Sequence, residues 1–391
     1  MRRLHRIRIV AFLATLALAG TSPAATRTWT GGGGDSNWTT AANWGGVAPV
    51  ANDDLVFPAG AAQTVNNNDF AAGTAFNSIA IGVSGTEAGG YTLNGNAVSL
   101  AAGLSAYCNG TNTIGLAGIT LTADQSFISA YDSFGNSKRL TVIAPIDLQS
   151  HTLTLAVNGI LDLIGVVSGS GGIGTTGSGV IFVQGTDTFT GATNLNGPSF
   201  VLAGAALSPS SVVTVSGGLL QFANGASAGT VTVNSGGTLE LGGGSTQHGS
   251  ATSLTMNAGS TFNPDFYSLT NYGQLTVSGA VTLNSPTLVA GWAAYTSSAG
   301  NTFTIIDHTG AGAISGTFNT LAEGSAFNSN GRRYTISYVA GDGNDVVMTD
   351  APLAPATVTA TPASSLGALT ALFLLLVAVA WRSRKTATCE Y

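Results

Sequence analysis

The sequence predicts an all-β protein, a right-handed parallel β-helix in which successive coils stack on one another. The main observation is a recurring triplet of an apolar residue, a threonine and a second apolar residue. A turn of small residues and another short apolar segment follow each triplet. The triplets begin at Val213, Val231, Leu254 and Leu275, at spacings of 18, 23 and 21 residues. A repeat of about twenty residues is typical of a solenoid, in which each coil buries its apolar face against its neighbours.

Two further observations favour strands over helices in the body of the chain, residues 25–350. Apolar and polar residues alternate with a period of two, which is typical of a strand with one buried face. Gly, Ser and Asn, which form turns, are clustered between these segments. Related triplets begin upstream at Ile119, Leu140 and Leu153. An antiparallel β-sandwich is the alternative fold, since short strands at even spacing also build a sandwich.

The first 24 residues are typical of a secretory signal peptide. Four arginines lie within the first eight residues, and an apolar stretch at 9–19 follows them. Ser22 and Ala24 provide the small residues that a leader peptidase requires at the −3 and −1 positions. We therefore expect cleavage between Ala24 and Ala25, with the Sec machinery as the export partner.

Charged residues are scarce, at 8% of the chain. The body carries five Lys and Arg against 17 Asp and Glu, which gives it a net charge of −12. Such a body cannot neutralise phosphates, so nucleic acid is excluded as a partner. The two cysteines are Cys108 and Cys389. If the C-terminal segment is a separate element, the body holds one thiol and forms no internal disulfide.

Candidate sites in the body are few. Trp29, Trp38 and Trp44 lie among glycines. They either form a platform on which sugars stack or close the open end of the solenoid. Asp307 and His308 are adjacent, but no nucleophile motif such as G-x-S-x-G accompanies them. They are interpreted as solvated turn residues.

The remaining titratable residues predict no chemistry. None of the four histidines has a second His or Cys at the spacing of metal ligands. The acidic residues are scattered singly, apart from Asp53 and Asp54, whereas glycoside hydrolysis needs two facing carboxylates. We therefore expect no catalytic residues, no resident metal and no cofactor.

The C-terminal segment has the layout of a membrane helix. Its 16 apolar residues, 366–381, would span about 24 Å as a helix, somewhat less than the ~30 Å hydrocarbon core. Arg382, Arg384 and Lys385 follow and are expected to stay on the cytoplasmic side. The predicted organisation is a leader (1–24), a body (25–350), a Pro/Ala/Thr linker (351–365), a hydrophobic helix with a basic cluster (366–385) and a tail (386–391).

Three stretches resemble parts of secreted proteins that carry the autotransporter-associated β-strand repeat. Residues 177–222 resemble the repeat itself, with Thr-Phe-Thr-Gly at 188–191 as the core of the match. The Trp-rich stretch 28–44 resembles the opening of such proteins, and 273–350 resembles their closing module. The resemblance implies a secreted, β-helical, passenger-like protein that is displayed outside the cell.

Two shorter stretches resemble known motifs. The sequence AGDGNDVVM at 340–348 resembles the calcium nonapeptide of RTX repeats, with Asp342 and Asp345 as candidate oxygen ligands. Such calcium is held between adjacent copies, and the chain has one copy, so a tight hairpin with its turn at 341–344 is the alternative. The hydrophobic helix with its basic cluster, 366–385, resembles the PEP-CTERM and rhombosortase-linked sorting signals. This resemblance implies a sorting protease. A permanent single-pass anchor is the alternative.

These expectations combine into one functional hypothesis. The chain is expected to be a secreted or cell-surface structural protein, adhesin-like and without catalytic activity, that meets the membrane at least transiently through its C-terminal helix. The alternative is a β-helix that binds or cleaves an extracellular polysaccharide. An enzyme would be distinguished by several acids and a cation gathered in one groove.

Overall fold

Short strands and turns account for nearly all of the computed structural model. The structure describes residues 24–107, 109–130, 139–244 and 247–352. The chain divides into two compact units, Met1–Ala351 and Pro352–Tyr391. Residues 1–23 of the predicted leader, and the linker, hydrophobic helix and tail beyond Pro352, lie outside the described residues. Among the residues that are described, no helix is long and apolar enough to cross a membrane.

The described residues contain 33 strands and a single 3-10 helix, Ala41–Trp44. In chain order, the strands of the first part are β1 (Thr26–Thr28), β2 (Asp54–Phe57), β3 (Val65–Asn68), β4 (Thr74–Ile81), β5 (Thr92–Gly95), β6 (Val98–Tyr107), β7 (Thr111–Leu116), β8 (Ile119–Leu121), β9 (Gln125–Ala130), β10 (Arg139–Val142), β11 (Ile146–Asp147), β12 (Leu153–Val157), β13 (Ile160–Leu163), β14 (Val167–Ser168), β15 (Ile173–Thr176), β16 (Val180–Val183) and β17 (Thr193–Leu195).

The second part follows the same plan. Its strands are β18 (Ser199–Ala203), β19 (Val212–Val215), β20 (Gly218–Ala223), β21 (Ser227–Val233), β22 (Gly237–Leu241), β23 (His248–Met256), β24 (Thr261–Phe266), β25 (Gln274–Val277), β26 (Val281–Asn284), β27 (Thr287–Leu288), β28 (Gly291–Trp292), β29 (Thr302–His308), β30 (Ser315–Thr317), β31 (Ala326–Ser329), β32 (Arg332–Ala340) and β33 (Asp345–Ala351).

Each coil of the chain contributes to three faces of a parallel solenoid. The first face contains β8, β11 and β14, and the second contains β9, β12, β15, β17 and β19. Long strands such as β6 and β23 turn the corner and belong to both, since β6 pairs with β8 and with β9. The third face runs from β3 to β27 through ten parallel pairings within the described residues. At about 4.8 Å per step, it is about 48 Å long.

The predicted all-β parallel solenoid is therefore confirmed, and the antiparallel sandwich is wrong for the stacked coils. Each strand forms hydrogen bonds with the coil before it and the coil after it, so equivalent positions lie directly above one another. Antiparallel pairing between the named strands is confined to the closing part of the described chain, where β29, β31, β32 and β33 form a short sheet. The physical reason is that the repeated sequence repeats the same inward and outward positions in every coil.

The core consists of columns of inward side chains. On the second face, one column is formed by eight residues that are paired in register and at most 7% exposed: Gln125, Leu153, Ile173, Thr193, Val213, Val231, Leu254 and Val281. Burying one aliphatic side chain of this kind contributes about 1.5–3 kcal/mol. The period-two pattern of the sequence thus reflects a buried column along the solenoid.

Three of the four triplets lie in register with one another, and the fourth lies on another face. Val213, Val231 and Leu254 lie in register on the second face. Leu275 instead pairs with Gly249 on the first face, and Val281 takes its place in the column. The triplets at Ile119, Leu140 and Leu153 likewise lie on three different faces. An apolar-Thr-apolar triplet has the same form on any face, so the pattern identifies strands without identifying the face.

An asparagine ladder joins the coils outside the core. The Asn257 amide nitrogen donates to Asn234 Oδ1 at 2.8 Å, and the Asn284 amide nitrogen donates to Asn257 Oδ1 at 3.0 Å. Asn234 and Asn257 directly follow β21 and β23, and Asn284 is the last residue of β26, so the parallel register places the three side chains one above another. Side-chain amides can be donor and acceptor together, which lets each one link two neighbours.

We expect Asn257→Ala to lower the free energy of unfolding by about 1–2 kcal/mol, because it removes two hydrogen bonds of the ladder and leaves both neighbouring amides without that partner. Asn284→Ala is the matched control at the exposed end of the ladder, where one such bond is lost, and its effect should be smaller. Urea denaturation followed by circular dichroism measures both. Equal losses of unfolding free energy for the two variants would contradict a ladder in which Asn257 makes two hydrogen bonds and Asn284 makes one.

Candidate functional site

A groove crosses the first face of the solenoid. It is formed by two adjoining cavities of about 200 and 260 Å³, which share Leu207, Pro209 and Ser227. We call it the first-face groove and define it by Ala206, Ser208, Ser227, Ser250, Thr252 and Thr276, all of which line it. It extends over several coils, so a ligand in it would lie along the solenoid axis.

The parallel register produces the regular lining of the groove. Ala206 bridges to Ser227, Ser227 pairs with Ser250, and Ser250 pairs with Thr276. Hydroxyl groups therefore repeat about every 4.8 Å along the axis. Asp307 occupies the next position, and its carboxylate accepts a hydrogen bond from the Thr276 hydroxyl at 3.3 Å.

A turn at 208–211 makes this face concave. The turn is closed by a hydrogen bond from Ser211 N to Ser208 O at 2.8 Å. It passes over Gly229, where an added Cβ would lie 2.7 Å from Pro209 O, so a glycine is required there. Thr252 Oγ1 donates to Pro209 O at 3.5 Å and links the turn to the groove wall. The groove is thus a built feature of these coils.

The groove is suited to an uncharged ligand. Apart from Asp187, the residues that line it are hydroxyl-bearing or apolar. Serine and threonine hydroxyls donate and accept hydrogen bonds, so they match a ligand with hydroxyl groups of its own. No base-and-nucleophile pair lies among the lining residues, and the arrangement supports binding without chemistry.

Asp187 is a buried carboxyl group that the sequence analysis did not single out. It is 3% exposed, and its Oδ1 accepts a hydrogen bond from Val167 N at 2.7 Å. Its Oδ2 is buried and has no hydrogen-bond partner among the described residues. Burial raises the pKa of Asp187 to about 6, although the bond from Val167 acts in the opposite direction. The available signal was its inward position in the alternating segment that ends at Phe189.

A second acidic feature lies on the third face. Glu240 accepts hydrogen bonds from the Gln221 amide at 2.5 Å and from the Asn263 amide at 3.1 Å. Burial, and then the charge of Glu240, raise the pKa of Asp265 to about 6. The Asp265 carboxylate fits between Gly242 and Gly291, because a Cβ at either glycine would collide with it. The sequence analysis missed this pair, since 25 residues separate its members.

Glu240 and Asp265 are two carboxyl groups that lie close together on the third face, and the surroundings of Asp265 raise its pKa. Acid and base roles in glycoside hydrolysis require two such carboxyl groups. However, Arg27, Arg139 and Arg332 are paired elsewhere, at 2.6–2.8 Å from other acids. The described residues therefore show no salt bridge between a cation and this pair.

The three sequence-predicted tryptophans lie in the core at the start of the solenoid. Trp29 and Trp38 are 0% exposed and Trp44 is 6% exposed. Their rings pack edge-on or tilted against one another and against Phe57, at centroid distances of 5.1–6.3 Å. Stacking on a sugar needs an exposed ring face, and these rings have none to offer in this packing.

The candidate calcium ligands lie in a hairpin. β32 and β33 pair antiparallel up to Ala340 and Asp345, on either side of the turn at 341–344. Asp345 is 8% exposed, and its Oδ1 accepts a hydrogen bond from His308 N at 2.9 Å. Asp342 is exposed at the turn. No group of three or more His, Cys, Asp or Glu within the described ranges is arranged to hold a metal ion.

The interpretation of Asp307 and His308 as solvated turn residues is wrong. Both lie in β29, and His308 is 2% exposed. Alternation along the strand places the His308 side chain in the core, where neither ring nitrogen has a hydrogen-bond partner among the described residues. Asp307 lies on the opposite side of the strand, so the two side chains do not form a pair.

No protein-family model, no curated protein and no solved structure matches the chain. The resemblance of residues 177–222 to the autotransporter-associated repeat therefore stays a prediction from the sequence. Function must be argued from the geometry of the solenoid and from the charges and hydroxyl groups on its faces.

We expect Asp187→Asn to make the protein more stable at pH 7.5, by up to about 3 kcal/mol. Burial raises the pKa of Asp187 in the folded chain to about 6 from its ordinary value of 3.8. The folded state therefore binds more protons than the unfolded state between these values, so stability falls as pH rises through that window. The contribution of Asp187 to the unfolding free energy is constant above about pH 6. There the stability difference between the variant and the wild type should be largest.

The measurement is the urea unfolding midpoint from pH 3.5 to 8. Asn keeps the acceptor for Val167 N, so the variant retains the bond and removes the buried charge. Asp342→Asn, at an exposed position, is the control and should leave the profile unchanged. Parallel profiles for wild type and Asp187→Asn would contradict the assignment of the pH dependence to Asp187.

Proposed function

We propose that the protein is an exported structural protein of the cell surface or extracellular matrix, adhesin-like and without catalytic activity. The observation that carries this proposal is a solenoid whose sides present hydroxyl and amide groups in register rather than charges. On the second face, Thr214, Thr232, Thr255 and Thr282 form one such outward column. Such a surface stays soluble with few charges and offers the same contacts in coil after coil.

The first-face groove is the adhesive surface in this proposal. Its lining of hydroxyl groups fits an extracellular polysaccharide without charged groups, lying along the solenoid axis. Contacts that repeat in each coil add up, so a long polymer can be held although each contact is weak. The winding is right-handed in this proposal, as the sequence analysis predicts.

The two ends of the chain supply the route and the attachment. The leader directs export and is removed, and the hydrophobic segment 366–381 enters the membrane as a stop. Arg382, Arg384 and Lys385 hold its cytoplasmic end, because moving them across the membrane is costly. A sorting protease then releases the body to the surface, or the helix remains as a single-pass anchor.

A polysaccharide-cleaving β-helix is the second candidate. The observation that favours it is the pair Glu240 and Asp265, in which burial and the charge of Glu240 raise the pKa of Asp265 to about 6. Glu240, held by two amides, would act as the base, and Asp265 as the acid. We rank it second because no cation accompanies the pair in the described coils and because the first-face groove lies on a different face.

The location proposal predicts that the mature chain is recovered outside the inner membrane without residues 382–391. Intact mass and a C-terminal peptide map of the medium, surface and inner-membrane fractions test it. Replacing Arg382, Arg384 and Lys385 together by Ser should spoil retention and processing while the body stays folded. Recovery of 382–391 joined to the body at the surface would rule out a sorting signal, and confinement of that material to the inner membrane would establish an anchor.

The adhesion proposal predicts that Ser250→Tyr weakens binding to a neutral glucan at least about tenfold, a loss of about 1.4 kcal/mol. The ring would fill the first-face groove. Thr255→Tyr is the matched control, since Thr255 is an outward residue of the same strand, β23, on the second face. Affinity gel electrophoresis in dextran, laminarin and alginate measures the effect.

Retardation by a neutral glucan that Ser250→Tyr reduces and Thr255→Tyr does not is the expected result. Retardation by alginate alone, or equal loss for both variants, would reject the groove as the adhesive surface. New reducing ends in the same incubations, abolished by Asp265→Asn, would favour the cleaving candidate instead.

A further inference from the structure

Ala25 is held at both of its backbone groups at the start of the solenoid. Its nitrogen donates a hydrogen bond to Asp53 Oδ1 at 3.0 Å. Its carbonyl oxygen accepts one from Asp54 N at 2.9 Å. Thr26 then pairs with Asp54 as the first residue of β1. The residue that follows the predicted cleavage point is thus already part of the first coil.

The carboxylate that receives Ala25 is deeply buried. Asp53 is 2% exposed, and its Oδ2 accepts hydrogen bonds from Arg27 Nε at 2.8 Å and from Val50 N at 3.1 Å. Burial alone raises the pKa of Asp53, but the bonds from Arg27, Val50 and Ala25 outweigh it and lower the pKa below its usual value. Asp53 is therefore an ionised carboxylate that accepts hydrogen bonds from three donors.

We propose that removal of the leader between Ala24 and Ala25 creates an α-ammonium group that Asp53 holds as a partly buried ion pair. The proposal rests on the export proposed above. A leader peptidase adds water across the Ala24–Ala25 peptide bond, which leaves a carboxylate on Ala24 and an amine on Ala25. The amine takes up a proton and becomes positively charged at the atom that already lies 3.0 Å from Asp53 Oδ1.

The geometry requires no rearrangement of the first coil. A peptide nitrogen offers one proton to Asp53, whereas an ammonium group offers three and a full charge, which strengthens the bond. The charged groups that face the amine are Asp53, Arg27 and Asp54. Arg27 shares the carboxylate of Asp53, and Asp54 Oδ1 is occupied by the Asn77 amide and the Ser78 hydroxyl. Asp53 is therefore the partner.

The free energy that the ion pair adds to the folded state is gained only after export and cleavage. Before cleavage, Ala25 N is an uncharged amide and β1 is an edge strand held by its pairing with β2. After cleavage, the same atom carries charge and fixes the edge of the solenoid. An unpaired α-amine titrates at about 7.7–8.0, and a neighbouring carboxylate keeps it protonated to higher pH. The added stability is present below that range and is lost as pH rises through the raised value.

The test is a double-mutant cycle on the exported full-length chain. One variant inserts Gly-Ser between Ala24 and Ala25, so that Ser22 and Ala24 still direct cleavage while the amine moves two residues away. The second is Asp53→Asn, and the third combines both. N-terminal sequencing establishes where each mature chain begins, and thermal melting from pH 6 to 10 measures the coupling. Asp54→Asn is the matched control for Asp53→Asn.

The expected mature N-terminus of the wild type is Ala25. In the wild-type background, the insertion should lower the melting temperature by about 1–3 °C at pH 7. In the Asp53→Asn background, the insertion should leave the melting temperature unchanged. Above about pH 10, the insertion should have no effect in either background. With Asp54→Asn, the insertion should keep its full effect. Additive losses from the insertion and Asp53→Asn would overturn the ion pair.

A second readout does not depend on the folding of Asp53→Asn. Lys138 and Lys385 are the only lysines, so acylation of the α-amine can be followed by peptide mapping. The wild-type amine should react several-fold more slowly at pH 8 than the amine of the insertion variant, and equal rates would overturn the proposal. A mature N-terminus other than Ala25 on an exported chain would overturn the proposal and leave export intact. A chain that keeps Met1 inside the cell would reject export itself.

Discussion

In-register parallel hydrogen bonding between successive coils is the constraint on which the rest of the structure depends. It places every residue directly above its equivalent, so one inward position becomes a column and one outward position becomes a row of identical contacts. The column that contains Val213, Val231 and Leu254 shows the first effect, and the ladder of Asn234, Asn257 and Asn284 shows the second. Asp187 is an inward residue on the first face, and its Oδ2 has no hydrogen-bond partner among the described residues.

The same constraint leaves two open ends, where the last coil has no neighbour. The chain closes each end in a different way. At the start, Trp29, Trp38 and Trp44 fill the core opening. At the far end, β29 pairs antiparallel with β33, which turns the direction of the sheet and stops the parallel stack. The rings cover the end of the apolar core, whereas the reversed strand pairs with a strand edge that would otherwise recruit further strands.

The strands and their parallel stacking could be predicted from the sequence, because alternation and repeat length are local properties. The register could not. Leu275 carries the same triplet as Leu254, yet it lies on the first face, since the corner segments vary in length and only packing decides which strand follows. His308 was misplaced for a related reason. The alternation that begins at Phe303 predicts an outward His308, but an irregularity in β29 between Thr304 and Ile306 shifts it by one residue, so that Ile306 and His308 are both buried.

The candidate site shows how a repeated backbone acquires distinct surfaces. The backbone of the three faces is nearly the same, so their chemistry is set by small departures from the repeat. On the third face, Gly242 and Gly291 make room for Asp265, and Glu240 accepts hydrogen bonds from two amides. On the first face, Gly229 allows the turn at 208–211 to stand above the sheet and create a concave wall. The second face keeps its threonine column in the later coils, and in the first coils a bulge beside Ser78 accompanies a cavity of about 280 Å³ that Ser78, Ser105 and Ser126 line. Recognition of a polymer needs concavity as well as hydrogen-bonding groups, and the first-face groove combines both, with Asp187 as the single acidic residue of its lining.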